Sequence, residues 1–176
     1  QVGAVDNAGT TTINKASATS LTNTLGTSAV NTGGSVSGTT TVTAGTVTVA
    51  GGTLTGAATV NGGILDVDSG TVGAVDVAAG GTLDADGGTV GAVDNSGTTT
   101  IKNASATSLT NTPGTSALNT GRSVSGPTTG TAGTATVAGR TLTCAATAHG
   151  RILDVDGRTT GQVDLAPGVP VDAAGG

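Results

Sequence analysis

The sequence has no Phe, Tyr, Trp or Met among its 176 residues. Aromatic side chains normally supply the largest buried areas of a core, so a core in this chain has to be built from Val, Leu and Ile. Without aromatics there is also no platform on which nucleic-acid bases could stack, and the formal net charge is −5. Both properties argue against nucleic-acid binding. The abundant Thr, Gly, Ala, Ser and Val favour short strands and turns over helices.

Cysteine and histidine each occur once, as Cys144 and His149. A single Cys excludes an internal disulfide framework and a multi-cysteine metal site. Acyltransferases on left-handed hexapeptide solenoids use a histidine, but here the apolar residues do not recur every six positions and the sequence places no acid beside His149.

No apolar run reaches the length of a membrane span, and no signal-like segment is present. We therefore expect no membrane-spanning segment, and we interpret the chain as an excerpt or a mature piece.

The chain contains an internal duplication. Residues 2–88 align with residues 90–176 without a gap, and VGAVDNAGTTTI in the first copy becomes VGAVDNSGTTTI in the second. This divides the chain into two units, 1–88 and 89–176. A shorter, 18-residue period lies inside each copy, as in TVTVAGGTLTGAATVNGG followed by ILDVDSGTVGAVDVAAGG. Each copy would then hold about five coils, four at the full period and one that is two residues shorter.

Apolar residues recur in columns at this period, and the positions between them alternate between polar and apolar. The columns are Val47, Leu65 and Leu83; Val49, Val67 and Ala85; Leu54, Val72 and Val90; and Ala57, Val75 and Val93. Such alternation is typical of strands with one buried face. The pattern predicts an all-β fold, a single-stranded β-solenoid (β-helix) with coils of about 18 residues. A disordered linker is the alternative, but a linker has no reason to keep four columns in register.

The second copy has lost bulk at several apolar positions. Gly130 stands where the first copy has Val42, and Ala135 stands where it has Val47. Large-to-small changes in a core often cost about 1–3 kcal/mol or more. We therefore predict that residues 90–176 form the less stable, degenerate unit.

Four carboxylates form a cluster at the 18-residue period, with Asp66 stacked on Asp84 and Asp68 stacked on Asp86. All four occupy polar positions of the alternation, so they should point outward. A catalytic acid/base pair would need one protonated carboxylate beside another group, and the only basic residue of the first copy is Lys15. Ca²⁺ prefers oxygen ligands, yet the sequence lacks the pattern of calcium β-rolls. We expect solvated carboxylates, no catalytic residue and no cofactor, with Ca²⁺ binding as the open alternative.

Three arginines of the second copy, Arg122, Arg140 and Arg158, also recur at the 18-residue period. One interpretation is a basic stripe that binds an anionic polysaccharide or a sulfated glycan. The other is drift at an exposed corner column that accepts any side chain, because the first copy has Gly34, Gly52 and Gly70 at these positions.

The abundance of Thr raises the question of ice binding, which would need paired outward Thr on every coil. At the 18-residue period only one Thr column persists, formed by Thr53, Thr71 and Thr89. A single row is weaker than the paired array that an ice-binding face needs, and outward Thr is also what a solvated strand face prefers.

The phrases GGTLTGAATVNGG, TAGTVTVAGGTL and AAGGTLDADGGTVGAVDNSGTTTI resemble the passenger repeats of bacterial autotransporter and haemagglutinin-like surface adhesins. The resemblance covers most of the chain through composition and periodicity. It implies a right-handed β-helical stalk, secreted or on the bacterial cell surface, that acts in adhesion, aggregation or biofilm formation. Its partners would be host or bacterial surface glycans or proteins, or further copies of itself.

The function expected from the sequence is therefore a structural and adhesive repeat segment without catalysis. The alternative is a ligand-binding solenoid that presents a surface to ice or to an anionic glycan. A polysaccharide lyase on the same fold is disfavoured, because the first copy lacks a constellation of Asp with Lys or Arg and the chain has no aromatic platform for sugars.

Overall fold

The computed structural model describes residues 1–119 and 124–138, together with four short strands at 146–148, 152–156, 163–165 and 171–172. Its 21 strands belong to one continuous sheet in which the successive pairings are parallel. The described residues contain no helix, and so none that could cross a membrane. The chain winds as a β-solenoid with coils about 18 residues apart, which confirms the predicted fold.

Each coil passes through three stacks of paired strands, here called ladders 1, 2 and 3. Ladder 1 comprises β2 (Thr10–Ile13), β4 (Thr27–Asn31), the first half of β7 (Thr46–Leu54), the first half of β9 (Ile64–Val72), β11 (Thr82–Ala85), β13 (Thr98–Ile101), β15 (Gly114–Leu118), β17 (Gly133–Ala138), β19 (Ile152–Asp156) and β21 (Val171–Asp172).

Ladder 2 is shorter and comprises the first residues of β1 (Val2–Asn7), β3 (Ser17–Asn23), β12 (Thr89–Asn95) and β14 (Ser105–Asn111), together with β5 (Ser35–Val36) and the last residues of β7 and β9. Ladder 3 comprises the remaining parts of β1, β3, β12 and β14, with β6 (Thr40–Val42), β8 (Ala58–Val60), β10 (Val75–Val77), β16 (Thr128–Gly130), β18 (Ala146–Ala148) and β20 (Val163–Leu165).

The 18-residue period holds along most of ladder 2 and varies on the other two ladders. On ladder 2 the partners Ala18, Val36, Leu54, Val72 and Val90 follow one another at this period. The next step in this column, from Val90 to Ala106, is two residues shorter. On ladder 3 the step from Leu21 to Thr40 is one residue longer than the period, and the step from Ala58 to Val75 is one residue shorter. The corners therefore absorb small insertions and deletions.

The predicted apolar columns form the core, with one correction. Members such as Val47, Leu65 and Leu54 are fully buried. The column expected to begin at Ala57 begins instead at Ala58, which pairs with Val75 and is fully buried. The prediction was wrong by one position because this coil is one residue short of the period on ladder 3, and a shift of one residue turns a strand side chain to the opposite face.

The interior also contains polar side chains, which the apolar columns did not predict. Asn7 and Asn23 are buried and stack in register on ladder 3, one coil apart. The amide of Asn7 donates to Oδ1 of Asn23 at 2.7 Å and to Oγ of Ser28 at 2.9 Å. The network recurs in the second copy, where Asn95 donates to Oδ1 of Asn111 at 2.8 Å. These side chains satisfy buried polar groups at the bend between ladders 3 and 1.

The degenerate positions of the second copy face this same interior. Gly130 pairs with Asn111 on ladder 3, and Ala135 pairs with Ser116 on ladder 1. Both are half-buried, whereas their counterparts Val42 and Val47 in the first copy are fully buried. The second copy thus fills its interior with less apolar volume at these two places.

Candidate functional site

The four carboxylates lie on and just beyond ladder 1 and face outward. Asp66 pairs with Asp84 in the register that the 18-residue period predicts. Asp66 and Asp84 are half-buried, while Asp68 and Asp86 are exposed. On ladder 3, Asp76 pairs with Asp94 in the same way, and both are exposed. The expectation that these side chains point away from the core is confirmed.

A cation that the sequence reasoning missed lies against this cluster. The Nζ atom of Lys102 is 3.1 Å from Oδ1 of Asp86 and 3.7 Å from Oδ1 of Asp84. The coil between β11 and β13 is two residues short of the period, since Ala85 pairs with Ile101. This shortening places Lys102 beside Asp86, whereas the 18-residue period would have placed Ala104 there. The sequence could have indicated this contact, because the length of the duplicated unit already requires one coil in each copy to be two residues short of the period.

The electrostatics of the cluster follow from these positions. Partial burial raises the pKa of Asp66, and the neighbouring Asp68, Asp84 and Asp86 raise it further, while Lys102 partly offsets the effect. The hydrogen bond to Asp86 and the charges of Asp84 and Asp86 raise the pKa of Lys102. Oδ1 of Asp84 is buried without a hydrogen-bond partner, and the Lys102 ammonium lies 3.7 Å from it. The cluster is therefore an acidic patch that is partly neutralised by a half-buried lysine.

This arrangement is poorly suited to metal binding. Within the described residues, no group of three or more His, Cys, Asp and Glu side chains is placed to hold a metal ion. A hard cation such as Ca²⁺ would need several oxygens converging on one point, and Lys102 already contacts two of the four carboxylates. Calcium binding at Asp66, Asp68, Asp84 and Asp86 stays a hypothesis for titration.

The outward positions of the ladders carry columns of hydroxyl groups that the fixed period did not reveal. Ladder 3 presents Asp6, Thr22, Thr41, Thr59, Asp76, Asp94, Thr110, Thr129 and Thr147. Ladder 2 presents Ser17, Ser35, Thr53, Thr71, Thr89 and Ser105. Ladder 1 presents Thr10, Thr27, Thr46, Ile64, Thr82, Thr98, Thr115 and Thr134. The expectation of a single persistent Thr column was wrong, because coils that are shorter or longer than the 18-residue period hide the other columns from a fixed count.

The three arginines, Arg122, Arg140 and Arg158, lie outside the described residues, as do Cys144 and His149. The first copy nevertheless tests the idea of a tolerant corner. A Cβ atom at Gly34 would overlap the carbonyl oxygen of Ile13, and one at Gly52 would lie 2.6 Å from a methyl carbon of Val30. Both glycines are buried. The corner column of the first copy is thus closely packed, and the expectation that it accepts any side chain was wrong there.

No protein-family model, no curated protein and no solved structure matches this chain.

Proposed function

We propose that this chain is a structural and adhesive segment of a secreted or cell-surface bacterial protein, and that it acts without catalysis. The observation that carries the proposal is the outward column of ladder 3. It holds only Thr and Asp over nine successive coils, from Asp6 to Thr147. The resemblance of the sequence to adhesin passenger repeats supports the same assignment.

The column is suited to many weak contacts with an extended partner. Successive coils of a β-sheet are about 4.8 Å apart, so donors and acceptors recur at a short, even spacing. A Thr hydroxyl both donates and accepts, and a carboxylate accepts from glycan hydroxyls or from the amides of another protein. The neighbouring outward positions include the small residues Ala4, Ser20, Ala57, Ala74 and Ala92, which leave a partner free to approach the column. Repeated contacts of this kind gain affinity through multivalency.

The proposal is tested with the chain attached to beads and presented to bacterial cells and to a glycan array that includes sulfated glycans. Replacing Thr22, Thr41 and Thr59 with Ala removes three neighbouring hydroxyls of ladder 3. At about 0.5–1.5 kcal/mol for each hydrogen bond, retention should fall about tenfold or more. The control replaces Thr53, Thr71 and Thr89 of ladder 2 with Ala and should leave retention unchanged. No retention by the unaltered chain, or equal losses in both variants, would contradict the proposal.

A second candidate function, ice binding, is favoured by the outward positions of ladder 1. Its coils present Thr-x-Thr pairs at Thr10 and Thr12, at Thr46 and Thr48, and at Thr98 and Thr100. The hydroxyls are about 4.8 Å apart between coils and about 6.6 Å apart along a strand, which suits an ordered layer of water. The array is interrupted by Ala29, Ile64, Asp66, Asp84 and Ala117. An ice-recrystallisation assay decides this candidate, and inhibition that survives replacement of Thr46 and Thr48 by Lys would exclude ladder 1 as the ice-binding face.

A further inference from the structure

Asn61 and Gly62 form the only Asn-Gly pair of the sequence. They lie in the corner between β8 of ladder 3 and β9 of ladder 1, which is formed by residues 61–63. Glycine has no side chain that could hinder the approach of its backbone nitrogen to the side chain of the preceding Asn. Both residues are exposed, so water can reach the pair.

The other described asparagines differ from Asn61 in their burial or in the residue that follows them. Four are buried and donate hydrogen bonds from the side-chain amide to backbone carbonyls, namely Asn7, Asn23, Asn95 and Asn111. The side chain of Asn61 makes no hydrogen bond within the part of the chain that the structure describes. It can therefore rotate into the position that an attack on its Cγ atom requires.

The peptide group that joins Asn61 to Gly62 is also without hydrogen bonds. Among residues 1–119 and 124–138, the carbonyl of Asn61 accepts no hydrogen bond and the N–H of Gly62 donates none. At the two preceding corners the matching N–H groups, those of Leu25 and Ala44, donate to carbonyls of the coil before at 3.4 Å. The backbone nitrogen of Gly62 thus lies unrestrained beside an unrestrained side chain.

A similar pair, Asp86 and Gly87, is held in place by the structure. The N–H of Gly87 donates to the carbonyl of Val67 at 3.1 Å. Oδ1 of Asp86 lies 3.1 Å from Nζ of Lys102. Both the backbone nitrogen and the side chain of this pair would have to break a contact before they could react with each other.

We infer that Asn61 is a site of spontaneous deamidation in the folded solenoid, with the backbone nitrogen of Gly62 as the attacking group. This nitrogen forms a bond to Cγ of Asn61, the bond between Cγ and Nδ2 breaks, and the proton of the Gly62 N–H leaves with Nδ2 as ammonia. Water then opens the cyclic succinimide. Opening at Cγ gives Asp, and opening at the main-chain carbonyl carbon gives isoaspartate, whose backbone runs through Cγ. The inference does not depend on the proposed adhesive function.

The fold can accept the isoaspartyl product. Isoaspartate lengthens the backbone of the corner by one carbon atom. The same corner has three residues before β9, residues 61–63, and four residues before β11, residues 78–81. The strands on either side therefore keep their pairing when this corner is longer. Deamidation should add one negative charge to the exposed surface and leave the ladders intact, so that an aged chain differs in charge from a newly made one.

The test incubates the folded chain at neutral and at alkaline pH and follows it by anion-exchange chromatography, with peptide mass spectrometry to locate the change. A more acidic species should accumulate, and faster at the higher pH, because the Gly62 N–H must lose its proton. Asn61→Gln should prevent it. The matched control, Asp86→Asn, creates a second Asn-Gly pair at the restrained corner. That pair should react about two- to tenfold more slowly than the pair at 61–62, the factor equivalent to one backbone hydrogen bond.

Unfolding in urea separates the effect of the fold from that of the local sequence. In urea the two Asn-Gly pairs of the Asp86→Asn variant should react at equal rates. An unchanged Asn61 after prolonged incubation of the folded chain would overturn the inference, and so would equal rates at the two pairs in the folded variant. A difference that persists in urea would overturn it as well, because that difference would come from the neighbouring residues and not from the fold.

Discussion

Replacing Asn23 with Ala should destabilise the first coils of the solenoid. Asn23 is 0% exposed. Its Oδ1 atom accepts hydrogen bonds from the Asn7 amide at 2.7 Å and from the Ser28 hydroxyl at 2.8 Å. Its own amide donates to the carbonyl of Ala44 on the next coil at 2.8 Å. One side chain therefore ties together three successive coils.

The size of the loss follows from which partners are left without a hydrogen bond. The Asn7 amide keeps the carbonyl of Thr27 at 2.8 Å and Oγ of Ser28 at 2.9 Å, so it stays satisfied. The hydroxyl proton of Ser28 and the carbonyl of Ala44 lose the partner that Asn23 provided. A buried polar group left unpaired costs about 1–3 kcal/mol, so the variant should lose about 2–4 kcal/mol of unfolding free energy.

Urea unfolding measures this loss as a lower midpoint at an unchanged slope. The control is Asn31→Ala, since Asn31 is half-buried and its side chain makes no hydrogen bond within the described part of the chain. We expect the control to lower the unfolding free energy by less than about 0.5 kcal/mol, the usual range for substitutions away from the core and from buried hydrogen-bond networks. If the two variants had equal midpoints, the buried amide network would not contribute to stability and the reasoning would be refuted.

Three further predictions concern charge, backbone strain and the duplication. Asp66→Asn should be more stable than the unaltered chain at pH 7 and equally stable well below pH 3.8. The pKa of Asp66 is raised above 3.8 in the folded state, so the unaltered chain loses stability as pH rises from 3.8 through the folded-state pKa. Thermal melts at the two pH values measure the difference. Lys15→Asn should stabilise by about 0.5–1 kcal/mol in urea melts, because Lys15 has φ 50° and Asn tolerates that conformation better, whereas Asn103→Lys at the twin corner should destabilise. Hydrogen exchange should be faster in residues 128–138 than in residues 40–50, the matching positions of the first copy, and equal protection would contradict the view that the second copy is the weaker one.

The sequence was sufficient to predict the solenoid and most of its core, because aliphatic columns repeat wherever a coil keeps the 18-residue period. Val47, Leu65 and Leu83 illustrate this, since they stack at that step and are all fully buried. The outward direction of Asp66 and Asp84 followed from the same alternation.

The errors arose where coils depart from that period. A coil that is one residue short moved the core position from Ala57 to Ala58. Another coil, two residues short, brought Lys102 to Asp86. A corner can lose or gain a residue with little effect on the strands it joins, so the sequence carries no strong local signal for which corner has changed.

The buried polar residues were not predicted at all. Asn is a common turn residue, and Asn7 and Asn23 do lie at a turn. The turn is also the physical reason for their burial. Their side chains replace the backbone partners that the bend removes, for example by donating to the carbonyls of Thr27 and Ala44. Alternation alone cannot distinguish an outward Asn from one that satisfies a corner from inside.

The corner before ladder 1 provides the most direct test of how closely the coils stack. It is a column of glycines, Gly9, Gly26, Gly45, Gly63, Gly81, Gly97, Gly114 and Gly133, each at or just before the start of a ladder 1 strand.

Gly45→Ala should cost about 2 kcal/mol or more. Gly45 has φ 73°, and a Cβ atom there would overlap the carbonyl oxygen of Gly26 on the preceding coil. Ala is strained in that conformation, and neither of the two backbones can move without breaking its own ladder. Gly9→Ala is the matched control, because the same corner in the first coil has no atom within 4 Å of the added Cβ. In urea melts the control should stay within about 0.5 kcal/mol of the unaltered chain. Equal midpoints for the two variants would mean that the corner tolerates a side chain, and glycine would then be retained there for a reason other than the close approach of successive coils.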